Sequence, residues 1–334
     1  PNGEFPTVSA PNPEVKESMQ LALDLAERES ADIVLGTDAD ADRLGMAVPD
    51  EEGRFQLLSG NQIGCVLIDY YLRKLKENSR LPENGVVVKT IVTTELQRAL
   101  AKSNGVECHD VLTGFKWIGK KIKEWEEARD AGKASKEYLV GGEESYGFLA
   151  GTFVRDKDAV IAACLLSEAA VECRSKGKSL LHRLDEIYLE HGLHREELRS
   201  VFHEGKEGAE LIARIMKQLR SDSPKEIAGH RVVEFWDVKE GFKRNCISGE
   251  EESLDLPSSN VLVFKLENEA KVTARPSGTE PKIKFYFAVK VPKVPCDSSV
   301  QKSPKEALKE MEARAQSLCK EMIEDFMSQV ASIS

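Results

Sequence analysis

The sequence predicts an α/β protein in which a doubly wound region with a largely parallel sheet precedes an α+β region with an antiparallel sheet. Up to about residue 200, short apolar strands alternate with amphipathic helices, which is the pattern of βαβ units. Beyond that point, strands with two-residue alternation follow one another before a long final helix. The length of 334 residues is sufficient for two or three domains.

The elements of the first region are predicted from helix start signals and apolar spacing. Asn12, Pro13 and Glu14 predict a helix start, because they place a capping side chain, a fixed φ and an acid at the positive helix end. Residues 32–36 then predict a short strand. Since no strand precedes this helix, we expect the sequence to begin within a domain. The elements that follow are helix 61–76, strand 85–89, helix 94–103, strand 106–111, helix 115–129, strand 138–140, helix 158–173 and helix 179–190.

The second region is predicted to be a sheet covered by helices. In its last strand, Phe285 and Phe287 face one side while Lys284 and Tyr286 face the other, as in a sheet with one face against a core. Its predicted elements are helix 207–220, strands 231–237, 261–266, 271–274 and 283–289, and helix 305–333.

The composition excludes several classes of protein. With 47 basic and 57 acidic side chains, the net charge of −10 argues against nucleic acid as the main partner, because phosphate backbones require dense Lys/Arg surfaces. No apolar run approaches the roughly 20 residues that span a bilayer, and the N-terminus lacks the regions of a signal peptide. Seven cysteines without CxxC spacing favour reduced thiols. We therefore expect a cytoplasmic protein with neither a nucleic-acid nor a membrane partner.

The acidic loop, residues 36–43 (GTDADADR), follows the first predicted strand. Ligands of open α/β sheets bind at the carboxyl ends of strands. Carboxylates at i, i+2 and i+4 repel one another unless a cation neutralises them, and such hard oxygens suit Mg²⁺ or Ca²⁺. Asp38, Asp40 and Asp42 are therefore predicted metal ligands, with a solvated acidic loop as the alternative.

Two other interpretations of the acidic loop can be tested on the sequence. An EF-hand requires Gly at position 6 and Glu at position 12, where this chain has Arg43 and Pro49, so that interpretation fails. A phosphatase of the haloacid dehalogenase type also places an Asp-x-Asp pair after a strand, with Asp38 as nucleophile. It prefers Thr or Val at the position of Asp42, which weakens this interpretation but leaves it open.

The GEESYG loop, residues 142–147, follows a later strand and is preceded by Gly141. Glycines let a ligand approach the backbone closely. Glu143 and Ser145 would point the same way in an extended loop, and they offer the donor and acceptors that adjacent sugar hydroxyls require. A plain surface turn is the alternative.

The RPSGTEP loop, residues 275–281, lies between two predicted strands, and its glycine and two prolines argue against regular structure. A phosphate dianion requires a bidentate cation together with amide and hydroxyl donors. The candidate donors are Arg275, Ser277, Gly278 and Thr279. A β-turn without a ligand is the alternative.

Two further segments carry candidate contacts. Residues 114–121 mimic a Walker A loop, but Lys121 occupies the position of the Ser/Thr that would hold Mg²⁺. We interpret this segment as a helix entrance with Lys116 as an anion contact. Before the helix at 158–173, Asp158 is a candidate cap and Lys157 a candidate contact in the cleft.

These loops, in this order, resemble those of the α-D-phosphohexomutase family, the phosphoglucomutases and phosphomannomutases. The acidic loop looks like the family's metal loop, the GEESYG loop like its sugar-specificity loop, and the RPSGTEP loop like its phosphate-binding loop. Residues 113–116 and 155–158 also match the family. The form of the GEESYG loop is similar to that of the bacterial α-phosphoglucomutases.

The resemblance implies the mixed, doubly wound sheets of the phosphohexomutase fold, with four domains round a cleft. Residues 1–57 would be the latter part of domain 2, residues 58–195 domain 3, and residues 196–334 domain 4. The family's phosphoserine loop belongs to domain 1 and is not found in this sequence. The resemblance therefore implies that the N-terminal domains of the same enzyme are missing, and that this chain alone is inactive.

The implied reaction interconverts glucose 1-phosphate and glucose 6-phosphate through a phosphoserine and a bisphosphate intermediate. It requires Mg²⁺, with glucose 1,6-bisphosphate as activator and a phosphosugar as substrate. The implied catalytic residues are Arg43 and Lys116. The implied substrate-binding residues are Thr113, Gly114, Glu143, Ser145, Lys157, Arg275, Ser277, Gly278 and Thr279. A phosphomannomutase, a non-catalytic sugar-phosphate-binding protein and a Mg²⁺-dependent phosphatase are the alternatives.

Overall fold

The structure is a computed structural model that describes residues 2–202, 205–278, 280–293 and 303–333. Contacts divide the chain into two compact units, the first ending at Ile187 and the second beginning at Tyr188. Every helix in the described ranges is too short or too polar to cross a membrane.

The first unit alternates helices and strands, and the boundary with the second unit falls within its last helix. Its elements are α1 (Lys16–Glu29), β1 (Val34–Thr37), β2 (Leu44–Pro49), β3 (Phe55–Leu57), α2 (Gly60–Glu77), β4 (Gly85–Thr90), α3 (Leu96–Ser103), β5 (Glu107–Val111), α4 (Lys116–Asp130), β6 (Glu137–Gly142), β7 (Phe148–Ala150), α5 (Ala159–Ser175) and α6 (Leu180–His191).

Two sheets organise the first unit. One has the order β5-β4-β6-β7, in which β4, β5 and β6 are parallel and β7 is antiparallel. The other, β1-β2-β3, is antiparallel throughout, with Val34 opposite Ala47. The largely parallel sheet predicted for this region is therefore confirmed for β4 to β6 and wrong for β1 to β3. The reason is chain length: residues 38–43 are too few for the crossover that a parallel return requires.

The core of the first unit lies around β4, which is buried along its whole length, as expected for the central strand of a parallel sheet. Val86, Val88 and Tyr138 pack there against Phe115 and Ile118 at the start of α4. This packing fixes the carboxyl ends of the strands, from which the candidate ligand loops extend.

Helix starts were predicted with mixed success. Asp158 accepts hydrogen bonds from the Val160 and Ile161 amides at 2.9 and 3.0 Å, so it caps α5 as predicted. The predicted start at Asn12 is wrong, because its side chain instead accepts from the Glu14 amide in a local turn. The α1 helix begins at Lys16.

The second unit contains an antiparallel sheet and two helices within its described residues, which confirms the α+β prediction. The strand order is β12-β11-β10-β13-β14-β15-β8, with β9 paired to β10. Its elements are β8 (Leu193–Phe202), α7 (Gly205–Ser221), β9 (Glu226–Ile227), β10 (His230–Asp237), β11 (Phe242–Asn245), β12 (Glu251–Ser253), β13 (Leu262–Leu266), β14 (Lys271–Pro276), β15 (Lys282–Val291) and α8 (Pro304–Ala331).

The edge strand β8 was not predicted, since the sequence analysis places no element between residues 190 and 207. The strand pairs with β15 over its full length, from Leu193 opposite Val291 to Phe202 opposite Lys282. Its several charged residues hide any apolar alternation, so pairing rather than local pattern determines it.

The core of the second unit forms where α8 crosses the sheet. The ring of Phe326 lies 5.6–5.9 Å from the rings of Phe264, Phe285 and Phe287, and all four side chains are buried. A capping box at Ser303 begins the helix. This aromatic cluster holds β13 and β15 against the helix.

We expect Phe326→Ala to destabilise the second unit by about 3–5 kcal/mol, because it leaves a cavity among three aromatic neighbours. Native-state hydrogen exchange of α8 and β15 amides measures the opening of this unit. Phe202→Ala is the matched control, since Phe202 is 62% exposed and its loss should cost about 1 kcal/mol or less. Equal losses of protection in the two variants would contradict the central place of Phe326 in the core.

Candidate metal centre and ligand loops

The acidic loop is closed by one of its own carboxylates. Asp38 Oδ1 accepts hydrogen bonds from the amides of Asp42 at 3.0 Å and Arg43 at 2.9 Å. Ala41 adopts a positive φ of 55°, a conformation that tightens the turn at some cost for a residue with a Cβ. As a result, Asp38, Asp40 and Asp42 each offer one oxygen, and these oxygens all lie within 4.8 Å of one another.

Two cations partly compensate the charge of this loop. Lys157 Nζ lies 2.6 Å from Asp42 Oδ2, and Arg43 Nε lies 3.6 Å from Asp38 Oδ2. Burial raises the pKa of Asp42, but Lys157, the Asp38 side chain and Arg43 together lower it by more, so the pKa lies below its usual value. Burial raises the pKa of Asp38, and the neighbouring Asp42 carboxylate raises it further. Adjacent carboxylates with opposite shifts indicate a site with an excess of negative charge.

The donor set fits a hard divalent cation. Asp42 Oδ1 is buried and has no hydrogen-bond partner among the described atoms, and Arg43 Nε lies 3.8 Å from it. Asp40 is exposed and makes no described hydrogen bond, so its carboxylate is available to a ligand. Three carboxylates with converging oxygens, together with one buried carboxylate oxygen that lacks a hydrogen bond, match the preference of Mg²⁺ for oxygen ligands.

Backbone contacts hold the end of the acidic loop, and Leu44 that follows it, against the GEESYG loop. The Leu44 amide donates to the Tyr146 carbonyl at 3.0 Å, and Arg43 forms an isolated β-bridge with Gly147. The position of a Cβ on Gly147 would lie 2.3 Å from Lys157 Cδ. Glycine at 147 therefore gives the lysine chain the room that it needs to reach Asp42.

The GEESYG loop is a tight turn between β6 and β7, in contrast to the extended form considered from the sequence. The Glu143 amide donates to the Gly147 carbonyl at 2.9 Å, and Tyr146 has a φ of 70°. Glu143 Oε1 accepts from the Gly114 amide at 2.7 Å, which brings the segment after β5 to this loop. No described residue bonds to the half-buried Ser145 hydroxyl.

The two remaining candidates of the first unit lie beside Gly114. Thr113 is half-buried just before it, and Lys116 is exposed at the first residue of α4. Lys116 Nζ lies 5.1 Å from the centre of the Trp117 ring, and it forms no ion pair within the described residues. The first unit thus joins the acidic loop, Lys157, the GEESYG loop and the Gly114 segment through successive contacts.

The RPSGTEP loop connects β14 to β15 in the second unit. Arg275 and Pro276 belong to β14, so the prediction that this segment is irregular is wrong for them. The Ser277 amide donates to the Lys282 carbonyl at 2.8 Å, and the Ser277 hydroxyl accepts from the Glu280 amide at 3.3 Å. Thr279 lies outside the described residues.

Lys284 is a candidate anion contact that the sequence analysis missed. It pairs with Arg275 across β14 and β15, so the two side chains share one face of the sheet. Neither forms an ion pair with a described residue, and two adjacent unpaired cations favour an anionic ligand. The two-residue alternation of β15 predicted that Lys284 faces away from Phe285 and Phe287. Only the pairing of β14 with β15 shows that it lies opposite Arg275.

Comparison with known proteins identifies the family. The chain has an α/β fold with a loop of three carboxylates, and it matches two family models. Residues 1–53 match "Phosphoglucomutase/phosphomannomutase, alpha/beta/alpha domain II", and residues 59–190 match domain III of that family. The chain belongs to the phosphoglucomutase/phosphomannomutase family, the α-D-phosphohexomutases. The resemblance seen in its loops is therefore confirmed.

Curated relatives include bacterial phosphoglucomutases. The chain is 37% identical over 289 residues to a phosphoglucomutase of Staphylococcus epidermidis, covering 86% of this chain and 51% of that protein. It is 38% identical over 292 residues to a phosphoglucomutase of Staphylococcus aureus, covering 87% and 51%. The chain spans about half the length of the curated relatives that it matches.

Solved structures show the same fold. A putative phosphomannomutase from Thermus thermophilus aligns with a TM-score of 0.57 at 20% identity, covering 96% of this chain and 51% of that chain. Parafusin, a phosphoglucomutase from Paramecium, aligns with a TM-score of 0.57 at 15% identity, covering 97% and 51%. At these identities the likeness concerns the fold alone.

We expect Asp38→Ala to open the acidic loop, because it removes the acceptor of two backbone amides. Loss of a hydrogen bond to a charged group costs about 1.5–3 kcal/mol, so exchange protection of the Asp42 and Arg43 amides should fall at least about tenfold. Asp40→Ala is the control, since Asp40 supports no described backbone group. A similar loss of protection in both variants would show that Asp38 does not hold the loop closed.

Proposed function

We propose that this chain is the metal- and sugar-binding part of a phosphoglucomutase, an enzyme that interconverts glucose 1-phosphate and glucose 6-phosphate. The observation that carries the proposal is the convergence of the Asp38, Asp40 and Asp42 oxygens within 4.8 Å, in a loop docked on the GEESYG loop. The identity of 37–38% to curated phosphoglucomutases supports it. Phosphomannomutase is the nearest alternative within the family.

Asp38, Asp40 and Asp42 would hold Mg²⁺, which when bound withdraws charge from a phosphoryl group and positions it. The Arg43 guanidinium, 39% exposed beside this loop, would support the charge of the transferring phosphoryl group. Lys116, which forms no ion pair with a described residue at the start of α4, would be a second cation for the same charge.

The remaining candidates of the first unit would bind the sugar. Glu143 and Ser145 would hydrogen-bond to adjacent hydroxyls, with Thr113 and Gly114 beside them. Lys157 is paired with Asp42. A role at the substrate would therefore require its ammonium to contact both Asp42 and the ligand.

In the second unit, Arg275, Ser277, Gly278 and Thr279 would bind a phosphate group of the substrate, and we add Lys284 to this set. Phosphate contacts remote from the reacting bond convert binding energy into orientation, which raises the rate of transfer.

We further propose the family's domain division, with residues 1–57, 58–195 and 196–334 as parts of domains 2, 3 and 4. The phosphoserine and the remaining domains would lie outside this chain, which alone would be inactive. The bisphosphate intermediate would act as the activator. The cytoplasmic location expected from the cysteine pattern remains a prediction.

Asp40→Asn tests the metal assignment most cleanly, because it removes a ligand charge without removing a described loop contact. In the natural gene product that contains this chain, we expect mutase activity to fall by about 10²-fold or more, with weaker Mg²⁺ binding by calorimetry and an unchanged unfolding temperature. Retained activity would overturn the metal assignment.

Three further observations separate the alternatives. A phosphatase with Asp38 as nucleophile predicts phosphate release from glucose 6-phosphate by the 334-residue chain alone, without activation by glucose 1,6-bisphosphate. A non-catalytic binding protein predicts that no serine loop is encoded in frame upstream. A mutase predicts activity with glucose 1-phosphate that exceeds activity with mannose 1-phosphate.

Gly278→Ala tests the phosphate assignment. Apart from its chain neighbours, no described residue has an atom within 4 Å of the position of a Cβ on Gly278, so alanine should leave the unfolding temperature unchanged. A methyl group at the amide would hinder an incoming phosphate, and we expect the affinity for glucose 6-phosphate to fall about tenfold, as measured by calorimetry.

Gly3→Ala provides the control for this variant, because its Cβ position is equally open and it lies outside every candidate loop. Equal affinities in the two variants would remove Gly278 from the phosphate site.

A further inference from the structure

Glu144 lies between the two proposed sugar contacts, and neither the sequence motif nor the proposed mechanism uses it. Its Oε2 lies 3.2 Å from Thr90 Oγ1 and 3.3 Å from Thr93 Oγ1. The two threonine oxygens are themselves 2.8 Å apart, and both threonines are fully buried. The side chain therefore points into the protein, where it completes a cluster of three oxygens.

The two threonine hydroxyl groups define how this cluster is bonded. Each has one proton, and each lies within hydrogen-bond distance of Glu144 Oε2 as a donor. No described cation is paired with Glu144, and burial raises the pKa of this carboxyl group. Because two buried hydroxyl groups bind one of its oxygens, the Glu144 side chain serves as a hydrogen-bonding anchor.

The partner of this anchor is itself fixed. Thr90 and Thr93 bracket the turn after β4, and the fully buried Lys89 donates to both of their carbonyl oxygens at 3.3 Å. The Lys89 ammonium is neutralised by Glu95 at 3.0 Å and Asp110 at 2.9 Å. A buried cation held by two acids and bonded to two carbonyls makes this turn a rigid platform.

The backbone of Glu144 is confined as well. A Cβ on Gly60, at the start of α2, would lie 2.1 Å from the Glu144 carbonyl oxygen. The glycine thus lets the helix press against the loop, on the backbone of the same residue whose side chain is anchored at Thr90 and Thr93. Because Glu143 and Ser145 are the chain neighbours of Glu144, the positions of their backbones are restricted as well.

We propose that Glu144 is a positioning residue that holds Glu143 and Ser145 in place for the sugar hydroxyls, through its hydrogen bonds to Thr90 and Thr93. The proposal rests on the proposed function, because it assumes that the GEESYG loop binds the sugar. It assigns to Glu144 no contact with the substrate, and it makes the platform at Lys89 a determinant of sugar binding.

Calorimetry with two probes tests this proposal on the natural gene product. Glucose 6-phosphate reports sugar and phosphate contacts together, whereas inorganic phosphate reports phosphate contacts alone. We expect Glu144→Ala and Thr93→Val each to lower the affinity for glucose 6-phosphate about tenfold and to leave the affinity for inorganic phosphate unchanged. A purely structural defect would change both affinities or neither.

Conservative and control variants complete the test. Glu144→Gln keeps an oxygen and donor protons at this position, so it should bind glucose 6-phosphate within about threefold of the unsubstituted protein. Thr273→Val, which removes another fully buried threonine hydroxyl, should change neither affinity. A glutamine variant as weak as the alanine variant, or an undiminished affinity in Thr93→Val, would overturn the positioning role. If the unsubstituted protein does not prefer glucose 6-phosphate to inorganic phosphate, the proposed function itself fails.

Discussion

The mutual repulsion of three aspartates is the constraint on which the candidate site depends. Two unit charges 4 Å apart repel by about 4 kcal/mol at the effective dielectric constant of a protein surface. The loop nevertheless gathers the oxygens of Asp38, Asp40 and Asp42 within 4.8 Å of one another. Each carboxylate has a different environment. Asp38 accepts hydrogen bonds from two backbone amides, Asp42 forms an ion pair with Lys157, and Asp40 is exposed to solvent.

This arrangement also distinguishes the chemistry of a metal ligand from that of a nucleophile. Asp38 Oδ1 already accepts two amide hydrogen bonds, which hold this carboxylate in place within the loop. A divalent cation needs only one oxygen from each aspartate, and it would offset the repulsion among the three carboxylates. A nucleophile needs only one of the three. The convergence of all three therefore favours the metal interpretation over the phosphatase.

Local patterns predicted the parts of the fold that local interactions determine. The apolar run of β4, the cap at Asp158 and the apolar face of α8 follow from period and composition, and the structure has them. Strand β8 and the antiparallel return of β2 depend on pairing with distant strands, and a periodicity within one segment carries no information on such register.

The same limit applies to the candidate site. The acidic loop was recognisable because its three carboxylates are adjacent in sequence, whereas the pairing of Lys157 with Asp42 joins residues 115 positions apart (157 − 42). Lys284 became a candidate only through its register with Arg275.

Glu144 shows why a motif alone is an incomplete description of a ligand loop. In the sequence it is one acid of an adjacent pair, equivalent in chemistry to Glu143. The fold separates them: Glu143 accepts the Gly114 amide, while Glu144 turns inward to two buried threonines. Two chemically equivalent acids therefore have different places in one loop: Glu144 fixes the loop from inside the protein, and Glu143 remains the acid on the side of the proposed sugar site. The distinction depends on Thr90 and Thr93, which are about 50 positions away in sequence, so the motif alone does not reveal it.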